Sequence, residues 1–227
     1  MAENYRLTYG VDIVFCIDAT ESMDPILDSV KANALNFYRD FYHMMEQKHK
    51  KVDRLRVRIV AFRDYRADGR QAMLVTDFFE LPNQSAQLDG CIKRIEPKGG
   101  GDAPEDGLEA LAFAMKSNWN TESRKRRHII VLWSDEGTHD IGYGKESKYY
   151  PEGMAESFAE LSAWWGNGGP GAVMDQEAKR LLLFTPDKES WSTISSTWNY
   201  VVHNKSDQPG VSDKDYLQIL NVICNTV

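Results

Sequence analysis

The sequence predicts a doubly wound α/β fold, in which a mostly parallel six-stranded sheet carries helices on both faces. Apolar runs rich in Val, Ile and Leu alternate with segments of helical periodicity along the whole chain. Runs without polar alternation are typical of strands buried on both faces of a parallel sheet. Strands that alternate with helices favour a doubly wound topology. For 227 residues we expect a single domain, 1–227, with its core over about 9–227.

The first strand is the apolar run 9–17, which stops abruptly at Asp18. Pro25 then opens a long segment with apolar residues at helical spacing, which predicts a helix. After the second strand, residues 73–81 follow at a short separation, which favours an antiparallel strand at the sheet edge.

A glycine-rich loop, 99–101, leads into the third helix, and Pro104 suits the first turn of that helix. The fourth strand again ends in an acid, Asp135. The predicted strands cover residues 9–17, 56–62, 73–81, 127–133, 181–184 and 199–203. The predicted helices cover residues 25–48, 85–95, 104–115, 154–165, 188–196 and 215–227.

Composition narrows the class of protein. The net charge of −7 argues against nucleic-acid binding, which needs a basic surface. We expect neither a signal peptide nor a membrane span, because no apolar stretch is long enough. Cys16 and Cys224 fall in apolar runs and are expected to be core thiols. These features together favour a cytoplasmic location.

Polar side chains follow the first strand directly, in the pattern Asp18-x-Thr20-x-Ser22. A carboxylate and two hydroxyls on one tight turn offer the hard oxygen ligands that a small divalent cation requires. Asp102 and Asp135 lie far away in sequence, but the carboxyl ends of parallel strands share one edge of a sheet. We therefore expect all five residues to meet at that edge.

Three segments together resemble a von Willebrand factor A domain with its metal-ion-dependent adhesion site. They are Asp-Ala-Thr-Glu-Ser-Met at 18–23, Gly-Gly-Gly-Asp-Ala-Pro-Glu at 99–105 and Leu-Trp-Ser-Asp-Glu-Gly at 132–137. The second segment, with Phe-Arg-Asp-Tyr at 62–65, is most similar to an intracellular branch that includes alpha-kinase-associated domains and stand-alone bacterial proteins, some linked to tellurite resistance. The resemblance implies a strand order of 3-2-1-4-5-6, with strand 3 antiparallel.

The resemblance also implies a metal site. Thr20 and Ser22 would ligate Mg²⁺ or Mn²⁺ through their hydroxyls, and Asp18 and Asp135 would hold the ion through water or directly. Asp102 stands where adhesion-type members carry a Thr, and Glu21 replaces the Gly that is commonest in this branch. Both changes add negative charge, which favours metal binding over capture of an acidic partner.

By the same resemblance, the function is protein–protein recognition, and the partner is a protein kinase or a PP2C-type phosphatase in a signalling or stress-response system. The long loop 138–153 is the expected contact loop. No oligomeric state is predicted. The candidate partner-binding residues are Glu21, Asp64, Glu136, His139, Tyr149 and Tyr150.

Several alternatives stay open at this level. Asp18 could cap the following helix, and Asp102 could cap the third. Asp64 could stabilise only its own turn, and Trp164 with Trp165 could pack in the core rather than form a partner surface. The alternative function is a Mg²⁺-dependent hydrolase of the haloacid dehalogenase type with Asp18 as nucleophile. The chain lacks the second acid and the later lysine of that class, so we expect no enzyme.

Overall fold

A computed structural model describes residues 8–101, 104–167, 171–205 and 213–227. Its strands form one sheet with the order β3-β2-β1-β5-β6-β7, and β4 also pairs with β2. All neighbours are parallel except β3 and β4, which run antiparallel to β2. The strands are β1 Thr8–Asp18, β2 Lys51–Phe62, β3 Met73–Val75, β4 Phe79–Leu81, β5 Arg126–Trp133, β6 Lys179–Thr185 and β7 Val201–Lys205.

The described residues also form six α-helices, which cover both faces of the sheet. They are α1 Asp24–Gln47, α2 Ser85–Ile92, α3 Gly107–Met115, α4 Phe158–Trp165, α5 Glu189–Thr197 and α6 Asp213–Thr226. The predicted fold class, strand order and antiparallel third strand are therefore confirmed.

The predicted third strand is two strands, so the sheet has seven strands instead of six. Thr76 interrupts the run, because its hydroxyl accepts the hydrogen bond from Ile59 N at 3.0 Å while its own N–H donates to Ile59 O. The side chain thus takes the place of a backbone acceptor, and regular pairing with β2 resumes only at Phe79.

Helix α3 begins at Gly107, three residues later than Pro104 suggested. Glu105 instead forms an isolated parallel bridge with Thr138. The residue before the helix is Asp106, and the Thr138 hydroxyl accepts from Leu108 N at 3.1 Å. Asp102 is therefore not the N-cap of this helix; its own placement lies outside the described residues.

Alternating side chains of β1 enter two hydrophobic cores, one on each face of the sheet. Ile13 and Ile17 pack on the side of α1, α2 and α6, whereas Val14 and Cys16 pack on the side of α3, α4 and α5. This two-sided burial explains the continuous apolar run.

Side chains that the sequence assigned to the core are buried there. Cys16, Cys91 and Cys224 are buried free thiols, and Trp164 and Trp165 lie in the core on the side of α3. None of the described helices combines the length and the apolar character that a membrane crossing requires.

Candidate functional site

The carboxylate of Asp18 closes β1 and organises the turn that follows. Its Oδ1 accepts hydrogen bonds from Thr20 N at 3.0 Å and Thr20 Oγ1 at 2.7 Å, and its Oδ2 accepts from Ser134 Oγ at 2.8 Å. Thr20 Oγ1 in turn lies 3.3 Å from Ser22 Oγ. The predicted motif thus forms one continuous hydrogen-bonded chain at the C-terminal edge of the sheet.

Asp18 does not cap the following helix. A short 3₁₀ turn, Glu21–Met23, separates it from α1, whose N-cap is Met23. The Asp18 side chain is fully buried, and burial raises its pKa to about 6, with a further contribution from the nearby charge of Asp135. A fully buried carboxylate whose two oxygens are hydrogen-bonded is poorly placed for nucleophilic attack, which argues against the hydrolase alternative.

An open cleft of about 420 Å³ lies beside this turn. Four acidic side chains and three glycines contribute to its wall, together with both motif hydroxyls. The lining residues are Thr20, Glu21, Ser22, Gly99, Gly100, Gly101, Glu105, Asp135 and Glu136. Among the described residues, no Lys or Arg lines the cleft, although Lys188 Nζ forms an ion pair with Glu136 at 3.1 Å.

The glycine loop allows the backbone to approach the motif closely. Gly100 has a φ of +81°, and a Cβ at this position would lie 2.8 Å from Glu105 Oε1 and 3.1 Å from Thr20 Cγ2. A larger residue would therefore be strained and would also collide with the cleft wall. This position needs glycine for both reasons.

Glu105 is the residue of the cleft that sequence reasoning underestimated. It is 5% exposed, and its Oε2 has no hydrogen-bond partner within the described part of the chain. Burial, and then the charges of Asp18, Asp64, Asp68 and Asp106, raise its pKa to about 9. Its sequence position suggested only an acid near a helix N-terminus.

A second group of polar side chains lies buried next to the cleft. Asp64, Asp106 and His139 are 1%, 0% and 7% exposed. We call these three residues the Asp–Asp–His cluster. His139 Nδ1 and Asp106 Oδ1 are 3.1 Å apart, so the histidine expected near the ligand edge is paired with a buried acid. Asp64 does stabilise its own turn, because its Oδ1 accepts from Arg66 N at 2.6 Å.

The two tyrosines named as partner-binding candidates lie in different environments. Tyr149 is 44% exposed, whereas the Tyr150 hydroxyl donates to the buried Glu109 Oε1 at 2.9 Å. Gly142 N donates to the same oxygen at 2.8 Å, and Tyr143 O accepts from Arg66 Nε at 3.0 Å. The expected contact loop is therefore attached to the domain at several points.

Sequence reasoning gave no role to several residues that the structure brings to the site. Ser134 and Thr138 each form hydrogen bonds across more than 30 residues, and so does Asp106. The one signal available for Ser134 was its position beside Asp135. Asp106 and Glu109 follow the glycine motif, but their spacing indicated only a helix start.

Comparison with known proteins assigns the family. A family model for the von Willebrand factor type A domain matches residues 13–138, more than half of the chain. The chain belongs to the von Willebrand factor type A family. Domains of this family are typically protein-interaction modules, and most are not enzymes.

The alpha-protein kinase vwkA of Dictyostelium discoideum is 21% identical over 148 residues, which are 65% of this chain and 22% of the kinase. The pilus adhesin SpaC of Lactobacillus rhamnosus GG has a similar fold, with a TM-score of 0.57 and 11% identity over 98% of this chain and 31% of SpaC. The von Willebrand factor domain of the pilus tip protein Mfa5 of Porphyromonas gingivalis is 21% identical over 59% of this chain and 40% of that chain, with a TM-score of 0.41. This chain thus spans less than half of each of these proteins.

Proposed function

We propose that this von Willebrand factor type A domain binds Mg²⁺, or Mn²⁺ in its place, in the cleft and uses the ion to recognise a protein partner. The observation that carries the proposal is the hydrogen-bonded chain from Asp18 through Thr20 to Ser22 at the edge of an acidic cleft. Such turns at the carboxyl ends of parallel strands are the usual ligand position in this class of fold.

The donor set fits a hard divalent cation. Asp18 accepts the Thr20 hydroxyl proton, so Ser22 is the donor to Thr20, and one lone pair of Thr20 Oγ1 stays available to an ion. Because both Asp18 oxygens are hydrogen-bonded, the two hydroxyls would be direct ligands, and Asp18 would act through them or through water. Asp135, in the same cleft wall, would complete this oxygen-rich set, and Glu105 Oε2, which has no hydrogen-bond partner among the described residues, adds a further acidic oxygen beside it. Asp102, the fifth predicted ligand, stays a prediction.

The bound ion would supply positive charge and an open coordination position for an oxygen ligand from the partner. Without an ion, Glu21, Asp135 and Glu136 would repel an acidic partner side chain. Recognition of an acidic group in this cleft should therefore require the metal. A kinase or PP2C-type phosphatase as partner rests on the sequence resemblance and stays a prediction.

Calorimetric titration of Mg²⁺ and Mn²⁺ into the metal-stripped protein tests this proposal. We expect saturable one-to-one binding that is weakened about tenfold or more in Ser22→Ala, since that substitution removes one hydroxyl. Ser196→Ala is the matched control, because Ser196 is exposed on α5. Asp102→Ala in the same series tests whether that carboxylate contributes. Absence of saturable binding, or equal binding by Ser22→Ala and the wild type, would contradict the proposal.

A further inference from the structure

The Asp–Asp–His cluster brings together ligand atoms from three separate segments. Asp64 follows β2, Asp106 precedes α3, and His139 follows β5. One ligand atom from each residue lies within 4.8 Å of the other two. Neighbouring ligands at right angles around an ion with bonds of about 2.1 Å are about 3.0 Å apart. The 3.1 Å between His139 Nδ1 and Asp106 Oδ1 agrees with this spacing.

Surrounding groups hold the cluster in position. Arg66 N donates to Asp64 Oδ1 at 2.6 Å, and Tyr65 N donates to Asp106 Oδ2 at 2.7 Å. The His139 ring stacks on Tyr143, with ring centroids 3.8 Å apart. Backbone donors thus orient one oxygen of each carboxylate, which is the kind of support that outer groups give to metal ligands.

Two buried carboxylates beside the cluster supply a second and independent observation. Glu105 and Glu109 flank Asp106 in sequence, are 5% and 0% exposed, and each has an Oε2 without a hydrogen-bond partner among the described residues.

Asp64, Asp106, Glu105 and Glu109 place four buried carboxyl groups in or beside the cluster. The Arg66 guanidinium stacks over the Tyr143 ring and donates to Tyr143 O, so it is engaged outside the cluster. Buried carboxylates are costly unless they are paired or coordinate a metal.

We propose that Asp64, Asp106 and His139 bind a divalent transition-metal ion, at a site separate from the Mg²⁺ site in the cleft. A set of two carboxylates and one imidazole suits Zn²⁺, Mn²⁺ or Co²⁺ better than Mg²⁺ or Ca²⁺, because imidazole is a borderline ligand. The ion would join the turn after β2, the start of α3 and the segment after β5. These segments adjoin the cleft, and the ion would fix their relative positions. The proposal does not depend on Mg²⁺ binding.

The test titrates Zn²⁺ by calorimetry and Co²⁺ by visible absorption into the metal-stripped full chain. We expect one tight site in the wild type and a loss of affinity of about tenfold or more in His139→Gln and in Asp106→Asn. His43→Gln is the control for an exposed histidine on α1. Ser22→Ala should keep the Zn²⁺ and Co²⁺ site while its Mg²⁺ affinity falls, which separates the two proposals.

A measurement on the wild type tests the proposal even if the variants fail to fold. Addition of Zn²⁺ should shift the ring nitrogen resonances of His139 in a ¹⁵N-labelled sample, with one equivalent sufficient. The proposal is overturned if the wild type shows no saturable Zn²⁺ or Co²⁺ binding, or if the His139 resonances do not move. It is also overturned if Ser22→Ala, but not His139→Gln, abolishes transition-metal binding, since the ion would then occupy the cleft.

Discussion

Two buried aspartates, which lie towards opposite ends of the same strand, have different hydrogen-bond and ion-pair partners. Asp12 and Asp18 both lie on β1 and are 1% and 0% exposed. Asp12 forms a bidentate ion pair with Arg56, at 2.7 and 2.5 Å, and also accepts from Asn120 N at 2.6 Å. Within the described part of the chain, Asp18 accepts hydrogen bonds from hydroxyl and amide donors alone, and Asp135 adds negative charge nearby.

The difference separates a structural end of the sheet from a ligand-binding end. At the N-terminal end, Arg56 neutralises the carboxylate within the protein, so the interaction contributes only to the fold. At the C-terminal edge, burial and then the charges of neighbouring acids raise the pKa values of Asp18 and Glu105. Buried acids with strongly shifted pKa values are typical of functional sites.

Removing the ion pair between Arg56 and Asp12 should cause the largest change in stability. Arg56→Met leaves Asp12 buried without its cation, and we expect the free energy of unfolding to fall by about 3–5 kcal/mol. Urea denaturation measures this change. Arg54→Met is the control, because the pair of Arg54 with Glu80 is partly exposed and should contribute about 1 kcal/mol or less. Similar losses of stability in the two variants would show that the buried pair with Asp12 contributes no more than the partly exposed pair with Glu80.

Replacing Glu105 by the neutral glutamine should instead stabilise the metal-stripped protein. The folded pKa of Glu105, about 9, exceeds its ordinary value of 4.5, so the folded state binds its proton more tightly than the unfolded chain does. Stability is therefore highest below the ordinary value and falls as the pH rises from about 4.5 towards 9. Glu105→Gln should reduce this slope and add a few kcal/mol at neutral pH, since each pKa unit corresponds to about 1.4 kcal/mol.

Thermal unfolding between pH 5 and 9 checks this expectation, and Glu177→Gln is the matched control, because Glu177 is exposed. That control should keep the wild-type slope. A Glu105→Gln protein that is less stable than the wild type at pH 8 would mean that the Glu105 carboxylate is compensated in solution.

The smallest expected change in stability concerns the expected contact loop, residues 138–153. Tyr150→Phe removes the phenol donor from Glu109, so we expect about 1 kcal/mol of lost stability and faster hydrogen exchange over residues 140–150. Tyr149→Phe is the matched control, because Tyr149 is largely exposed and should change stability by less than about 0.5 kcal/mol. Unchanged exchange in Tyr150→Phe would show that other contacts alone hold the loop.

The parts of the fold that follow from local pattern were predictable. The apolar run of β1 and the apolar spacing of α1 reflect the periods of strands and helices, which neighbouring residues determine. The break in the third strand was not predictable, because it depends on a hydrogen bond from Ile59 to the Thr76 side chain. The start of α3 was misplaced for a similar reason, since the capping hydroxyl comes from Thr138.

The sequence by itself determined the family fold and the Asp18, Thr20 and Ser22 turn, because these features lie within short segments with characteristic periods and residue types. Only the tertiary structure decided that Ser134 binds the second oxygen of Asp18, that Glu105 retains an unpartnered oxygen, and that His139 pairs with Asp106. The two pairings join segments 30 or more residues apart, and the burial of Glu105 depends on several elements of the fold. Such contacts and such burial exist only after the chain has folded.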